Sequence, residues 1–139
     1  MYKTAREFVT GIGECVSEYE TVLEGARKLA EFGVAALPIC GDDRNVVGML
    51  FERDVVRIVA ERRDPDSIRI GLLADQVSVV DANAPIYDAW TTLIEGDLDS
   101  APVTDEGRLI GMLRRTDLHS QIGERAIGDP RPARAVAQV

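Results

Sequence analysis

The chain has 139 residues, 45% of them hydrophobic, which is enough to fill the core of one compact domain or of two smaller modules. Its net charge of -8 would repel a phosphate backbone, so we expect no nucleic-acid partner. No apolar run approaches the roughly eighteen residues of a membrane span, and the N-terminus lacks the apolar stretch of a signal peptide. We therefore expect a cytoplasmic protein without a membrane partner.

The first half of the chain predicts alternating strands and helices. Two Thr-x-x-Glu patterns are typical of the capping boxes that begin helices, and glycine follows each predicted helix. Two apolar runs separated by turn residues indicate a hairpin. The predicted elements are, in chain order, a short helix opened by Thr4 and Glu7, a strand at Cys15-Val16, a helix from Thr21 to Gly33, hairpin strands at 36–40 and 46–51, and a helix from Asp54 through about Arg63.

The second half of the chain repeats the first. The pattern Gly-Met-Leu, three variable residues and Asp occurs at 48–54 and again at 111–117. Residues 15–38 also align with residues 79–102 without a gap, so the apolar face of the predicted helix recurs. Such a repeated order indicates one unit that has been duplicated. We predict a first repeat at 1–65, a second repeat at 66–123 and a flexible C-terminal tail at 124–139.

Each predicted repeat is a β-α-β-β-α unit that is too small to bury its sheet alone. We therefore predict an α/β (α+β) fold in which the two units pack face to face with pseudo-twofold symmetry and leave related clefts between them.

These residues resemble a known family. Each repeat has a helix, a strand containing Pro38 or Pro102, an acidic turn, a Gly-Met-Leu strand and an Asp at its last helix, which is similar to the cystathionine-beta-synthase-type (CBS) domain. The pair resembles a Bateman module over residues 4–122, and residues 38–43 resemble the hypoxia-response branch of stand-alone CBS pairs. The resemblance implies a regulatory module that commonly binds AMP, ADP, ATP or another adenosyl ligand between its repeats. It also implies a homodimer of pairs and an unidentified target protein.

The family motif points to candidate ligand contacts. In nucleotide-binding members a Thr or Ser lies three positions before the Asp, and the hydroxyl and carboxylate hold phosphate and ribose. Asp54 and Asp117 match the Asp, whereas Phe51 and Arg114 replace the Thr. Phe51 could stack on a base or fill the cleft, and the arginines could donate to a phosphate. The candidate contacts are Asp54, Asp117, Phe51, Arg114, Arg53 and Arg115.

A structural interpretation of the same residues stays open. An acid at the start of a helix satisfies unpaired backbone amides whether or not a ligand exists, so Asp54 and Asp117 could be N-cap residues. The arginines could be solvated surface, and Phe51 could belong to the core.

The two cysteines, Cys15 and Cys40, are too few for a disulfide scaffold and fit no zinc motif, so we predict no metal site. Cys15 aligns with a strand position, where a small buried apolar role is the default interpretation. The two residues would nevertheless lie on strands joined by one crossover helix, which commonly places such strands side by side. We favour two free thiols, and a redox-sensitive disulfide is the alternative.

Catalysis finds little support among these residues. The only histidine, His119, lies in the last predicted helix with no nucleophile pair nearby, and the chain has no glycine loop of the P-loop or dinucleotide type. We therefore predict a regulatory ligand-sensing module and not an enzyme. The alternative is a structural or protein-interaction dimer tuned by Cys15 and Cys40.

Overall fold

The computed structural model describes residues 3–11, 13–75 and 77–122. These residues pack as two compact units. The first unit is Glu14–Val77, and the second unit combines the described residues of Met1–Gly13 with those of Ser78–Val139. The repeat boundaries at 1–65 and 66–123 stay a prediction, and the predicted tail at 124–139 lies outside the described residues.

The first unit contains a three-stranded sheet and two helices. The predicted capping box forms, since Thr21 N–H donates to Glu24 Oε1 at 2.8 Å and Glu24 N–H donates to Thr21 Oγ1 at 3.2 Å. Strand β2 lies between β1, which is parallel to it, and β3, which is antiparallel. The elements are β1 (Val16–Ser17), α1 (Val22–Phe32), β2 (Ala36–Cys40), β3 (Val46–Phe51) and α2 (Glu52–Ala60).

The second unit repeats this arrangement with the strand order β4, β5, β6, again parallel and then antiparallel. The predicted order of strand, helix, strand, strand and helix is confirmed in both units, and so is the α+β class. The face-to-face packing of the units stays a prediction. The elements are β4 (Val80–Asp81), α3 (Ile86–Glu95), β5 (Ser100–Asp105), β6 (Arg108–Arg114) and α4 (Arg115–Ile122).

The segment that precedes the first repeat belongs to the second unit. It forms a short 3-10 helix at Ala5–Phe8, and Ala5 is completely buried in the core of that unit. Ile86 N–H at the start of α3 donates to the Lys3 carbonyl at 2.8 Å.

The segment that precedes the second repeat belongs, in turn, to the first unit. It forms 3-10 helices at Pro65–Ser67 and Ile70–Leu73, and Val22 N–H at the start of α1 donates to the Ile68 carbonyl at 2.8 Å. The sequence predicts residues 68–73 as the lead-in of the second repeat, whereas they pack on the first. The hydrogen bond from Val22 N–H explains this placement. The first amides of α1 have no acceptor within the helix, and the Ile68 carbonyl supplies one.

The glycines of the repeated Gly-Met-Leu pattern lie where these lead-in segments pass. A Cβ atom on Gly48 would lie 2.9 Å from Ala74 Cα, and one on Gly111 would overlap the Val9 side chain. Glycine is therefore required at these strand positions by the close approach of another segment.

Each unit has its own apolar core. The core of the first unit comprises Val16, Val22, Leu29, Leu37, Ile39, Leu50, Ile58, Ile68 and Ile70. The core of the second unit comprises Ala5, Val80, Ala82, Ile86, Ala89, Trp90, Leu93, Ala101, Val103, Leu113 and Leu118. Within the described ranges, no helix combines the length and the apolar character needed to cross a bilayer.

Candidate functional site

The motif residues of the first unit lie where β3 passes directly into α2. Strand β3 ends at Phe51 and α2 begins at Glu52, so Phe51 is the N-cap residue. Asp54 is the third helical residue, and its Oδ2 accepts a hydrogen bond from Phe51 N–H at 3.0 Å. The prediction that Asp54 is the N-cap residue is therefore wrong. It forms instead the acidic half of a capping box, a role that depends on the same three-residue spacing.

The remaining contacts of Asp54 are local as well. Arg57 Nη2 lies 3.4 Å from Asp54 Oδ1, and the carboxylate side chain is only 16% exposed. Helix α2 ends at Ala60, three residues before the predicted end. Both carboxylate oxygens thus have partners within the first two turns of α2, and a ribose hydroxyl would have to share them.

The side chain of Phe51 is half-buried, and one face of its ring is in contact with Arg53. The Arg53 guanidinium carbon lies 4.2 Å from the ring centroid, which is cation–π geometry. The sequence predicts that the Phe51 ring could stack on a base, but one face of the ring is already occupied by the Arg53 guanidinium.

The motif residues of the second unit occupy the equivalent position, between β6 and α4. Arg114 is the last residue of β6, and Asp117 is the third residue of α4. The Arg114 Nε atom donates to Asp117 Oδ2 at 3.0 Å, and the two side chains are 58% and 34% exposed. This pair places a cation and a carboxylate side by side in solvent at the start of a helix.

Arg115 is used differently from the way the sequence predicts. Its Nε donates to the Leu98 carbonyl at 3.0 Å, and its Nη2 lies 3.3 Å from Asp97 Oδ1. The side chain is only 28% exposed. Arg115 therefore ties the start of α4 to the loop after α3, and Arg114 is the arginine that contacts the motif acid.

Cys15 and Cys40 are free thiols of the first unit. Cys40 ends β2 and is 4% exposed, whereas Cys15 precedes β1 and is partly exposed. A hydrogen bond from Cys40 lowers the pKa of Cys15 to about 6, against the opposing effect of burial, and the Arg44 guanidinium lowers it further. The same hydrogen bond raises the pKa of Cys40. Arg44 Nη1 lies 3.8 Å from Cys15 Sγ.

Sequence reasoning missed Arg44 and Arg57. Arg44 lies in the turn between β2 and β3, and the sequence there predicts a turn but no role for the arginine. Arg57 follows Asp54 by three residues, a spacing that places two side chains on one helix face. That spacing was the available signal for Arg57, whereas the contact of Arg44 with Cys15 spans 29 residues and has no local signature.

Helices α1 and α2 leave an apolar groove between them. Its volume is about 470 Å³, and the exposed large apolar side chains nearby include Phe32, Val34, Val56 and Val59. The groove is lined by Ala26, Leu29, Ala30, Gly33, Val34, Ala35, Glu52, Val55 and Val56.

His119 is exposed, and its ring centroid lies 6.1 Å from that of Trp90. In the part of the chain that the structure describes, no three His, Cys, Asp or Glu side chains are grouped so that they could hold a metal ion.

The CBS domain family model matches the chain twice, at residues 6–61 and 70–124. The chain is 38% identical over 126 residues to hypoxic response protein 1 of Mycobacterium tuberculosis, covering 89% of this chain and 88% of the relative. A crystal structure of hypoxic response protein I with two coordinated zinc ions matches with a TM-score of 0.77 and 37% identity, over 85% of this chain and 98% of that one.

A CBS domain protein from Pyrobaculum aerophilum, complexed with AMP, matches with a TM-score of 0.74 over 99% of this chain and all of that one. It is 23% identical, so this likeness concerns the fold alone. Two family matches that together cover most of the sequence are decisive. The chain belongs to the CBS domain family and contains two copies of the domain.

Proposed function

We propose that this CBS pair is a regulatory module, without catalytic activity, that senses a phosphorylated adenosyl ligand such as AMP, ADP or ATP. The observation that carries the proposal is the Arg114–Asp117 pair at the start of α4. The exposed guanidinium can donate to a phosphate, and the carboxylate can accept hydrogen bonds from a ribose diol. The positive end of the α4 helix dipole favours the same anion.

The proposal assigns different roles to the two units. In the first unit the Phe51 ring is already stacked with Arg53, and Asp54 is engaged by Phe51 N–H and Arg57. In the second unit the motif acid is more exposed to solvent, at 34% for Asp117 against 16% for Asp54. We therefore expect the ligand to depend on Arg114 and Asp117 more than on Asp54. A ligand position between the repeats, and a cytoplasmic location, remain part of the proposal on the strength of the family resemblance.

The AMP bound to the Pyrobaculum aerophilum protein supports the choice of ligand class. Because that protein shares the fold at low sequence identity, AMP enters here only as the first compound to test.

The experiment is thermal unfolding of the reduced protein in the presence of AMP, ADP, ATP and S-adenosylmethionine. A ligand that binds the native state at a concentration of about 100 Kd stabilises it by about 2.7 kcal/mol, so the transition should shift and the shift should saturate. Arg114→Gln combined with Asp117→Asn should abolish the shift. Arg63→Gln is the control, because it removes an exposed arginine of the first unit that is paired only at the surface with Glu61, at 3.5 Å.

No shift with any compound in the folded wild type would contradict nucleotide sensing. An unchanged shift in the folded double variant would instead leave the sensing function in place and remove Arg114 and Asp117 from the site.

A second candidate function is a protein-interaction dimer, and the apolar groove between α1 and α2 favours it. Val56 and Val59 on α2 are 65% and 58% exposed, and apolar side chains of this kind are characteristic of the centre of an interface. We propose that this surface joins two copies of the chain, and that a target protein is regulated through the same dimer.

Sedimentation equilibrium tests the dimer. Val56→Asp should convert it to a monomer, because a buried, unpaired carboxylate costs several kcal/mol at an interface. Leu72→Asp is the matched control, since Leu72 is 76% exposed but lines a separate pocket with Tyr19 and Arg69. A monomeric wild type, or equal effects of both substitutions, would contradict an interface at the groove.

A further inference from the structure

The two cysteines of the first unit form an asymmetric pair. In the parallel register of β1 and β2, Val16 lies opposite Ile39 and Ser17 lies opposite Cys40, so Cys15 lies two positions before the partner of Cys40 and on the same face of the sheet. Their thiols are in hydrogen-bond contact. Cys15 is partly exposed and Cys40 is 4% exposed, so a reagent from solvent reaches Cys15 first.

The charged groups around the pair favour an ionised Cys15. The Cys40 hydrogen bond is the main cause of its lowered pKa of about 6, Arg44 and Lys28 contribute in the same direction, and burial and Glu20 oppose them. A cysteine with a pKa below 7 is mostly thiolate at neutral pH, and the thiolate is the nucleophile. Cys40 remains a protonated thiol because its own pKa is raised.

The backbone at Arg44 supports a specific role for its guanidinium. Asp43 and Arg44 have φ angles of 57° and 62°, and Asn45 N–H donates to the Asp42 carbonyl, so the pair forms a tight left-handed turn. At the corresponding position in the other hairpin, the second left-handed residue is Gly107. An arginine at this position is strained in its backbone, whereas glycine would not be. The contact of the Arg44 guanidinium with Cys15 is an interaction that glycine could not make.

We propose that Cys15 is a redox-reactive nucleophile for hydroperoxides, that Cys40 is its resolving thiol, and that Arg44 is a positioning residue that stabilises the Cys15 thiolate. This site is independent of the nucleotide site and would operate whether or not a nucleotide binds.

The chemistry runs in two steps. The Cys15 thiolate attacks the terminal oxygen of a hydroperoxide, the O–O bond breaks, and the leaving alkoxide takes a proton to become an alcohol. Cys15 is then a neutral sulfenic acid, so the interaction that keeps Cys40 protonated is lost. The Cys40 sulfur attacks the Cys15 sulfur, the S–O bond breaks, water leaves and the disulfide forms. The two thiols lose two electrons and two protons, and the hydroperoxide is reduced to alcohol and water.

The first test is the pH dependence of Cys15 alkylation by iodoacetamide in the native reduced protein, followed by peptide mass. The wild-type rate should rise with a midpoint near the pKa of about 6. Cys40→Ala removes the hydrogen-bond donor, so the midpoint should move toward about 8.5, the value of an ordinary thiol. Cys40→Ser keeps a donor and should keep a midpoint well below that value.

Arg44→Gly and Arg62→Gly form a matched pair for the role of Arg44. Arg62 is also exposed, with a φ of 62°, so each substitution removes one positive charge and relieves one left-handed residue. Both variants should be at least as stable as the wild type. Only Arg44→Gly should raise the midpoint of Cys15 alkylation, by on the order of one pH unit. Equal midpoints in the two variants would overturn the role of Arg44.

The second test is treatment of the reduced protein with cumene hydroperoxide. The wild type should lose two hydrogens per chain in intact mass, and a thiol reductant should restore them. Cys40→Ser should instead accumulate one oxygen at Cys15, which a dimedone probe captures. The proposal would be overturned by a wild type that keeps both thiols under conditions that oxidise a free cysteine, or by first oxidation at Cys40.

Discussion

Asp54 and Asp117 lie at the third position of their helices and three residues after the end of a strand, which is the spacing of a capping box. The family motif, a hydroxyl residue three positions before an acid, has the same spacing. In this chain Phe51 and Arg114 replace the hydroxyl, so the acids keep a local role in the protein that requires no ligand: Asp54 accepts from a backbone amide, and Asp117 accepts from Arg114.

The cap of α2 gives a prediction at the residue scale. Asp54→Ala leaves Phe51 N–H without its acceptor, so the free energy of unfolding should fall by about 1 kcal/mol, the usual value of a lost cap. Arg57→Ala is the control, because it removes only a surface ion pair and should change stability by less than about 0.5 kcal/mol. Urea denaturation measures both. Equal losses would mean that the ion pair, and not the cap, matters.

Cys15 gives a second prediction, in the pH dependence of stability. Its pKa is lowered to about 6 in the folded protein, well below the value of about 8.5 for an ordinary thiol, so the unfolded state binds more protons between these values. The stabilisation is therefore fully present above pH 9 and is lost as the pH falls through 6. Because Cys15 is partly exposed, we expect only about 1 kcal/mol of it to survive solvent screening.

The measurement is the stability difference between wild type and Cys15→Ser from pH 5.5 to 8.5, under reducing conditions. The difference should grow with pH. Because the raised pKa of Cys40 acts in the opposite direction at alkaline pH, the comparison stops at about 8.5, where an unfolded thiol begins to ionise. A difference that is constant across this range would contradict an ionised Cys15.

At the scale of elements, the Gly-Met-Leu strands depend on the lead-in segments that pass beside them. Thr10 forms an antiparallel bridge with Met112, next to Gly111, and the Val9 side chain occupies the space that a Cβ on Gly111 would need. At Gly48 the neighbour is the backbone of Ala74, which cannot rotate away. The repeated glycine, which serves in the sequence to recognise the repeat, is thus a packing requirement.

Because a side chain faces Gly111 and a backbone segment faces Gly48, the two glycines should respond differently to substitution. Gly111→Ala should destabilise the protein by about 1–3 kcal/mol, the usual cost of overpacking, and Val9→Ala should restore part of the loss. Gly48→Ala should be costly and should not respond to Val9→Ala, since its neighbour is the backbone of Ala74 in the first unit, whereas Val9 belongs to the second unit. A double-mutant cycle in denaturant gives the coupling directly. Additive effects at Gly111 and Val9 would contradict the contact.

At the scale of the whole molecule, the chain crosses between its two units before each repeat. The described residues of Met1–Gly13 pack with the second repeat, and the segment after α2 packs with the first. The first unit therefore consists of the first repeat and the segment that follows it. The second unit consists of the second repeat and the N-terminal segment, which is distant from it in sequence. This explains how two repeats of about sixty residues each complete a core.

The crossing predicts the effect of deleting residues 1–10. Ala5 is completely buried in the second unit, and Ala5 and Arg6 N–H groups donate to the carbonyls of Ala84 and Ala82. The deletion should therefore destabilise the second unit by about 2–4 kcal/mol through lost apolar burial and hydrogen bonds.

Two probes separate the units in this experiment. Trp90, the only tryptophan, reports on the second unit by fluorescence, and the labelling of buried Cys40 reports on the first. The fluorescence midpoint in urea should fall more than the labelling midpoint. A deletion that lowers only the Cys40 midpoint would mean that the segment supports the first unit instead.

Much of the fold could be predicted from local patterns. The capping box at Thr21 and Glu24, the hairpin between residues 36 and 51 and the apolar face of α3 all formed as expected, because each depends on residues within a few positions of one another. The duplicated order of motifs also indicates the CBS family without any information from the tertiary structure. The sequence places Asp54 at the N-cap, three positions from its actual role in α2, because acids at the N-cap and at the third position leave the same trace in a sequence.

The site was less predictable, because its electrostatics come from contacts between distant residues. The pairing of Arg115 with Leu98 and Asp97, the contact of Arg44 with Cys15 and the exchange of lead-in segments span from 17 to more than 60 residues. Repeat order, helix starts and strand pairing are determined by short-range periodicity and by capping residues. Which arginine faces an acid, which thiol ionises and which repeat a lead-in completes depend on how the folded segments approach one another, and no local pattern records that approach.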